Sequence, residues 1–220
     1  YIMIINVAHT KGGVGKTTIA VNLAIEMHAD LFDLDNQNSS YNFSLLNEDI
    51  QRPIHFWKDR NLLKEIIETY KDKPDKHIII DSGGYDSNVS REIILNSNLI
   101  ITPITVSQTE VDGLQKFNSE NVEIALQSNP EIKPYILLNK ISHYDKKDAE
   151  DLIEYIHDQV TDYKVLHTML GARKDYKKAF SEGKSVNEYN RTSPAAKEMT
   201  ELVNEIGRSK TGIYQQCPII

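Results

Sequence analysis

Sulfur chemistry is nearly absent from this 220-residue chain: Cys217 is its single cysteine. One thiol cannot close an intrachain disulfide, and a reduced, intracellular setting fits that usage. Cys217 itself reads as a tail residue without a role. Long apolar runs are also missing. No stretch reaches the roughly 18 apolar residues that a spanning helix needs, so no membrane span is expected. No cationic, apolar leader precedes the first apolar run, and a cytoplasmic protein is the expectation. Positive charge is in deficit: 25 Lys and Arg stand against 32 Asp and Glu, a net −7. That excludes a uniformly basic coat for nucleic acid, though not a local basic patch. His28, His55, His77, His143, His157 and His167 show no metal-ligand spacing. No repeat, low-complexity tract or linker interrupts residues 1–220, so one domain is expected, with a tail from about 209.

What is present is an alternation of apolar runs and helical periodicities. Ile2–Ala8 reads as a first strand, and Thr17–Met27 places Ala20, Leu23, Ala24 and Met27 at helical spacing. "DLFDLD" (Asp30–Asp35) reads as a short second strand ending in acids. Asn61–Tyr70 is an amphipathic helix with Pro74 beyond its end. His77–Asp81, Ser97–Val106 and Lys133–Lys140 read as buried strands, and "KVLHTML" as the last one. Asp145–Gln159 is a helix with Ala149, Leu152, Ile153 and Ile156 on one face. Ser193–Arg208 is another, with Ser193 as N-cap and Pro194 in its first turn. Continuous apolar strands alternating with helices predict an α/β fold: a mostly parallel, twisted sheet with helices on both faces.

The stretch "HTKGGVGKTT" (His9–Thr18) follows the first strand. The usual phosphate-binding pattern is G-x-x-x-x-G-K-[ST]. Here Thr10 stands where its first glycine belongs, and Lys11 is an additional cation. The context of strand, loop and helix is that of a P-loop NTPase. Gly12, Gly13 and Gly15 let successive N–H groups converge on phosphate oxygens, and the next helix adds its N-terminal dipole. Lys16 would reach the β- and γ-phosphates of ATP, and the Thr17 hydroxyl would face Mg2+. Asp33 and Asp35 are expected to point the same way by the period-two rule, one positioning water and the other supporting the metal shell. Asp81, closing "HIIID", is the expected second magnesium anchor, and Gly83 and Gly84 could form a loop that senses the γ-phosphate. His9 reads as a packing or capping residue, and Phe56 and Trp57 as packing or interface residues.

"KGGVGKTT" resembles the deviant Walker A loop of the ParA/MinD ATPases, K-G-G-x-G-K-[ST]-[ST], in which Thr10 is no lost glycine. "DLDNQ" (Asp33–Gln37) resembles the family's D-x-D-P-Q, "IIIDSGG" its Walker B strand, and "LLNK" the strand whose asparagine, here Asn139, contacts adenine. The stretch "AFSEGKSVNEYNRTSPAAKEMTELVNEI" resembles the ParA C-terminal end, so the likeness spans essentially the whole chain. The resemblance implies that Lys11 crosses an ATP-sandwich homodimer to touch the partner's nucleotide. It implies that Lys11, Gly12, Gly13, Val14, Gly15, Lys16, Thr17 and Thr18 hold ATP, with Asp35 at the hydrolytic water and Asp81 near magnesium. It implies the short partition type, without an N-terminal helix-turn-helix domain. Such proteins are nucleoid-associated, bind nonspecific DNA as ATP dimers, and hydrolyse ATP when a ParB-like centromere-binding protein stimulates them. Two departures stand out: Asn36 replaces the usual proline, and Asn22–Asp35 is shorter than the family pattern.

Fold does not fix the client. From Gly171 to Lys184, five cations (Arg173, Lys174, Lys177, Lys178 and Lys184) face two acids, a local +3 in a chain of −7. Paired in a dimer, these cations could bind a phosphate backbone. They could equally be a solvated helix face. The rival readings are a MinD-like membrane-cycling ATPase, a metabolic P-loop ligase, and an adaptor that binds ATP but barely hydrolyses it. The first expects a C-terminal amphipathic helix, whereas "RSKTGIYQQCPII" is interrupted by Gly212 and Pro218, so no membrane partner is expected.

Overall fold

The computed structural model describes residues 2–47, 50–59, 61–73, 76–83 and 87–210. Pro74, Gly84 and the segment 211–220 with Gly212, Cys217 and Pro218 lie outside the described residues. Seven strands run β1 (Met3–Val7), β2 (Asp30–Asp33), β3 (Phe56–Trp57), β4 (His77–Asp81), β5 (Leu99–Ile104), β6 (Lys133–Leu138) and β7 (Lys164–Val165). They form one sheet in the order β3-β2-β4-β1-β5-β6-β7, and every pairing is parallel. The helices are α1 (Lys16–Glu26), α2 (Ser39–Ser44), α3 (Asn61–Tyr70), α4 (Ser87–Leu95), α5 (Gln108–Phe117), α6 (Glu123–Ser128), α7 (Lys146–Gln159), α8 (Lys174–Ser181), α9 (Val186–Asn190) and α10 (Pro194–Lys210). A π-helical turn, Asn118–Val122, joins α5 to α6.

The period of two decides which face each strand residue serves. Met3, Ile5, Val7, Leu31, Ile79, Leu99, Ile101 and Leu137 pack on one side with α1 and with Ala195, Met199, Leu202 and Ile206 of α10. Ile100, Ile104, Ile136 and Leu138 pack on the other side against Leu114 and Phe117 of α5 and Leu152 and Ile156 of α7. Ile4, Phe32, Ile78 and Ile80 meet Leu63 and Tyr70 of α3 on that same face. Each fully buried Ile or Leu contributes about 1.5–3 kcal/mol, so the two apolar faces of the sheet supply most of the driving force.

Three sequence expectations change in detail. The helix read as Thr17–Met27 runs over Lys16–Glu26, and the short Asn22–Asp35 segment leaves it through a tight helix end. His28 takes a left-handed conformation (φ 51°), with Ala29 N–H donating to Ala24 O at 2.9 Å and His28 N–H to Ile25 O at 3.3 Å. This is the six-to-one and five-to-two pattern of a Schellman end, with histidine in the place glycine usually takes. β2 then begins two residues later and stops at Asp33, so Asp35 lies in the bend beyond it. "KVLHTML" is a strand only at Lys164–Val165, because the Glu205 carboxylate of α10 accepts from the His167 and Thr168 amides at 2.7 and 2.9 Å. Those donors are therefore satisfied without a ladder.

Candidate functional site

The phosphate loop lies at the carboxyl end of β1, where a doubly wound sheet places its ligand. Gly13 (φ 79°) and Gly15 (φ 100°) hold backbone shapes that side chains rarely adopt. At Gly15 a Cβ would also run into the Asn139 amide. The loop borders a cleft of about 330 Å³ lined by Thr10, Gly12, Gly13, Gly15, Lys16, Thr17, Thr18, Asp35, Gln37, Ser39 and Lys140. Lys11 does not line it. A larger, shallower groove of about 630 Å³ sits at the far end of α1, where Glu26, Glu188, Arg191, Lys197 and Glu201 mix both charge signs. It holds none of the phosphate-loop groups.

Lys16 is buried, and its Nζ donates to Lys11 O at 3.1 Å. Burial lowers its pKa, while Asp81 and Asp35 pull the other way. β2 and β4 place Asp33 directly opposite Asp81, both buried. Asp33 is engaged by backbone: it accepts from Asp35 N–H at 3.1 Å and from Tyr41 N–H at 2.9 Å. The expectation that Asp33 and Asp35 point the same way rests on strand alternation, which stops at Asp33. Burial raises the Asp33 pKa and its hydrogen bonds hold it down. Asp81 is different. Among the described residues neither of its oxygens has a partner at full hydrogen-bond geometry, and burial followed by the Asp33 charge pushes its pKa up to about 7. The hydroxyls of Thr17 and Ser40, with Lys16, oppose that rise.

A buried carboxylate with both oxygens uncommitted, flanked by two hydroxyls, fits a hard divalent cation. Among the described residues no three His, Cys, Asp or Glu side chains could hold a metal by themselves. That suits magnesium, which typically takes one or two carboxylates and completes its shell with water and phosphate. Asp81 and Thr17 would hold it, with Ser40 beside them; Asp33 is tied to the bend instead. Asp35 faces the cleft and accepts from Gln37 N–H at 3.0 Å. Gly83 permits this approach, because a Cβ there would stand 3.0 Å from Asp35 Cα.

At the end of β6, Asn139 donates to Val14 O at 2.7 Å and accepts from Lys140 N–H at 2.9 Å. In this structure its amide braces the loop. Lys140 takes a left-handed conformation (φ 58°) and its Nζ donates to Gly13 O at 2.5 Å. Sequence reasoning missed Lys140, although "NK" stood in view, because the reversal in backbone direction is not encoded in apolar periodicity. It also missed Ser40, whose short helix carries no amphipathic signal. Of the five candidate DNA cations, Arg173 is bound by Glu198 through Nε at 3.0 Å and Nη2 at 2.7 Å, and Lys184 pairs with Glu182 at 2.9 Å. Lys174, Lys177 and Lys178 remain exposed on α8 and make no ion pair among the described residues. No described helix is long and apolar enough to cross a membrane.

Comparison with known proteins agrees with this geometry. The model of the CobQ/CobB/MinD/ParA nucleotide-binding domain matches residues 5–186. The chain belongs to that family and is a ParA/MinD-type nucleotide-binding ATPase. It is 24% identical over 208 residues to the maintenance of carboxysome distribution protein A of Halothiobacillus neapolitanus, covering 91% of this chain and 94% of the relative. A candidate plasmid partition protein of Borrelia burgdorferi B31, solved with AMPPNP, shares the fold at a TM-score of 0.69 and 18% identity, over 95% of this chain and 100% of that one. The MinD cell division protein of Aquifex aeolicus does so at 0.71 and 13%, over 99% and 100%.

Proposed function

We propose that this chain is an ATP-driven partition switch: Mg-ATP closes two copies face to face, the dimer binds nonspecific DNA, and hydrolysis releases it. The observation that carries this reading is the division between two lysines of one loop. Lys16 is buried and borders its own cleft, whereas Lys11 is half-buried and is not among the residues that border it. A cation so placed serves the nucleotide of a second copy. Bound magnesium would neutralise the phosphates, with Asp81 and Thr17 holding it. Asp35, at the cleft wall, orients water toward the γ-phosphate, and the buried Lys16 stabilises the charge there. The exposed Lys174, Lys177 and Lys178 supply phosphate contacts. A partner of ParB type stabilises the closed geometry and speeds hydrolysis. The Halothiobacillus relative, named for carboxysome distribution, supports a positioning role in which the cargo is a client other than DNA.

The test is binding to nonspecific duplex DNA with ATP, ADP or no nucleotide at two salt concentrations. ATP-only binding that weakens with salt is expected. Absence of DNA binding in every state overturns the DNA part, and vesicle binding then probes the MinD-like alternative. Lys11→Ala should keep ATP binding and lose ATP-dependent dimerisation by light scattering; a dimer that persists overturns the sandwich.

A further inference from the structure

His9 lies two residues before Lys11 and is almost completely buried, at 1% exposure. Its Nδ1 accepts the Lys11 backbone N–H at 3.0 Å. That bond requires Nδ1 to carry no proton. The ring is also packed from the other side. It stacks on Phe117 of α5, with centroids 5.8 Å apart and planes 13° from parallel. Gly113, one helical turn earlier, faces the same ring: a Cβ there would stand 3.4 Å from His9 Cε1, at van der Waals contact. Residues i and i+4 of one helix thus form a slot for the ring. The slot lies where the helix changes register, since the π-helical turn begins at Asn118, directly after Phe117. Such turns are frequent at functional sites.

We infer that His9 is a positioning residue: it clamps the backbone of Lys11 to α5 and thereby sets where that lysine points. The inference rests on the reading that Lys11 acts across a dimer. The clamp uses an acceptor two residues before its donor, the same span as an Asx-turn. Asparagine at position 9 can therefore reproduce the acceptor without the stack. Phenylalanine reproduces the stack without the acceptor. The two halves of the clamp are separable.

The experiment compares wild type with His9→Phe, His9→Asn, Phe117→Leu and Lys11→Ala. It measures ATP affinity by equilibrium titration, ATP-dependent dimerisation by light scattering, and kcat and KM for ATP hydrolysis. His9→Phe should hold ATP affinity within about threefold and reduce dimerisation and kcat by about tenfold or more, since small misplacements of a working group are costly. His9→Asn should restore most of that loss. Phe117→Leu, which leaves the loop sequence untouched, should lower dimerisation without changing ATP affinity and serves if His9→Phe does not fold. Wild-type dimerisation in both His9→Phe and Phe117→Leu overturns the inference. So does a loss of ATP affinity as large as the loss of dimerisation, which would make His9 a support of the whole loop. A Lys11→Ala protein that still dimerises overturns the underlying reading instead, whatever the His9 variants do.

Discussion

The two walls of the nucleotide cleft are built on different physics. One wall, Thr10–Thr18, is a continuous loop whose shape follows from its own residues: glycines at positive φ, a lysine entering the helix, a threonine after it. The other wall, with Asp35, Gln37 and Ser39 backed by the buried Asp33 and Asp81, is assembled from separate elements, and its three carboxylates have three different fates. Asp33 caps a bend, Asp35 faces the cleft, and Asp81 lies buried with no partner at full hydrogen-bond geometry among the described residues. A local motif fixes its chemistry by spacing, whereas a composite wall fixes it by where a strand happens to end.

The sharpest way to break the first wall is Gly15→Ala. The left-handed φ and the collision with Asn139 should together lower ATP affinity by about a hundredfold or more, measured by titration. Next is Asp81→Asn on the second wall. Removing an unpaired buried charge should raise the melting temperature of the nucleotide-free protein at pH 8 while weakening magnesium-dependent ATP binding by about tenfold or more. Asp33→Ala and Asp35→Ala should then separate the acids. The first leaves two half-buried amides without their acceptor and should cost about 1–3 kcal/mol by urea denaturation. The second should stay within about 0.5 kcal/mol of wild type and trap an ATP-bound dimer. Equal destabilisation by both would erase the distinction between bend and cleft.

A smaller effect separates the walls by pH. Asp81 binds its proton more tightly in the folded state, so its contribution to stability falls as pH rises from about 4 to about 7 and is flat above. His9 has the opposite sign. Burial, then the charges of Lys16 and Lys11, lowers its pKa to about 4, so its contribution grows as pH rises from about 4 to about 6.5. Asp81→Asn should therefore steepen the gain in stability with pH, and His9→Phe should remove that gain, in denaturation series between pH 4.5 and 7.5. The smallest expected effect belongs to Lys140→Ala, which removes one exposed contact to Gly13 O and should weaken ATP affinity only about two- to fivefold.

Much of this was legible. The helix at Asn61–Tyr70 and the strand at His77–Asp81 have the bounds read from periodicity, and the loop's role follows from its glycines and lysines. Less legible was the region after Asp33, because the period-two rule applies only while a strand continues. Nor could charge counting foresee that Glu198 and Glu182 would occupy Arg173 and Lys184, leaving Lys174, Lys177 and Lys178 of α8 as the cations of the five without an ion pair among the described residues. By itself the sequence determined the parallel α/β architecture and the phosphate loop, because both depend on short-range spacing and backbone freedom. Only the tertiary structure decided that Asp81 stands opposite Asp33, that Lys140 turns back onto Gly13, and that His9 is held between Lys11 and α5. Those relations join residues far apart in the chain, and packing between elements is what sets the distances at which their charges and hydrogen bonds act.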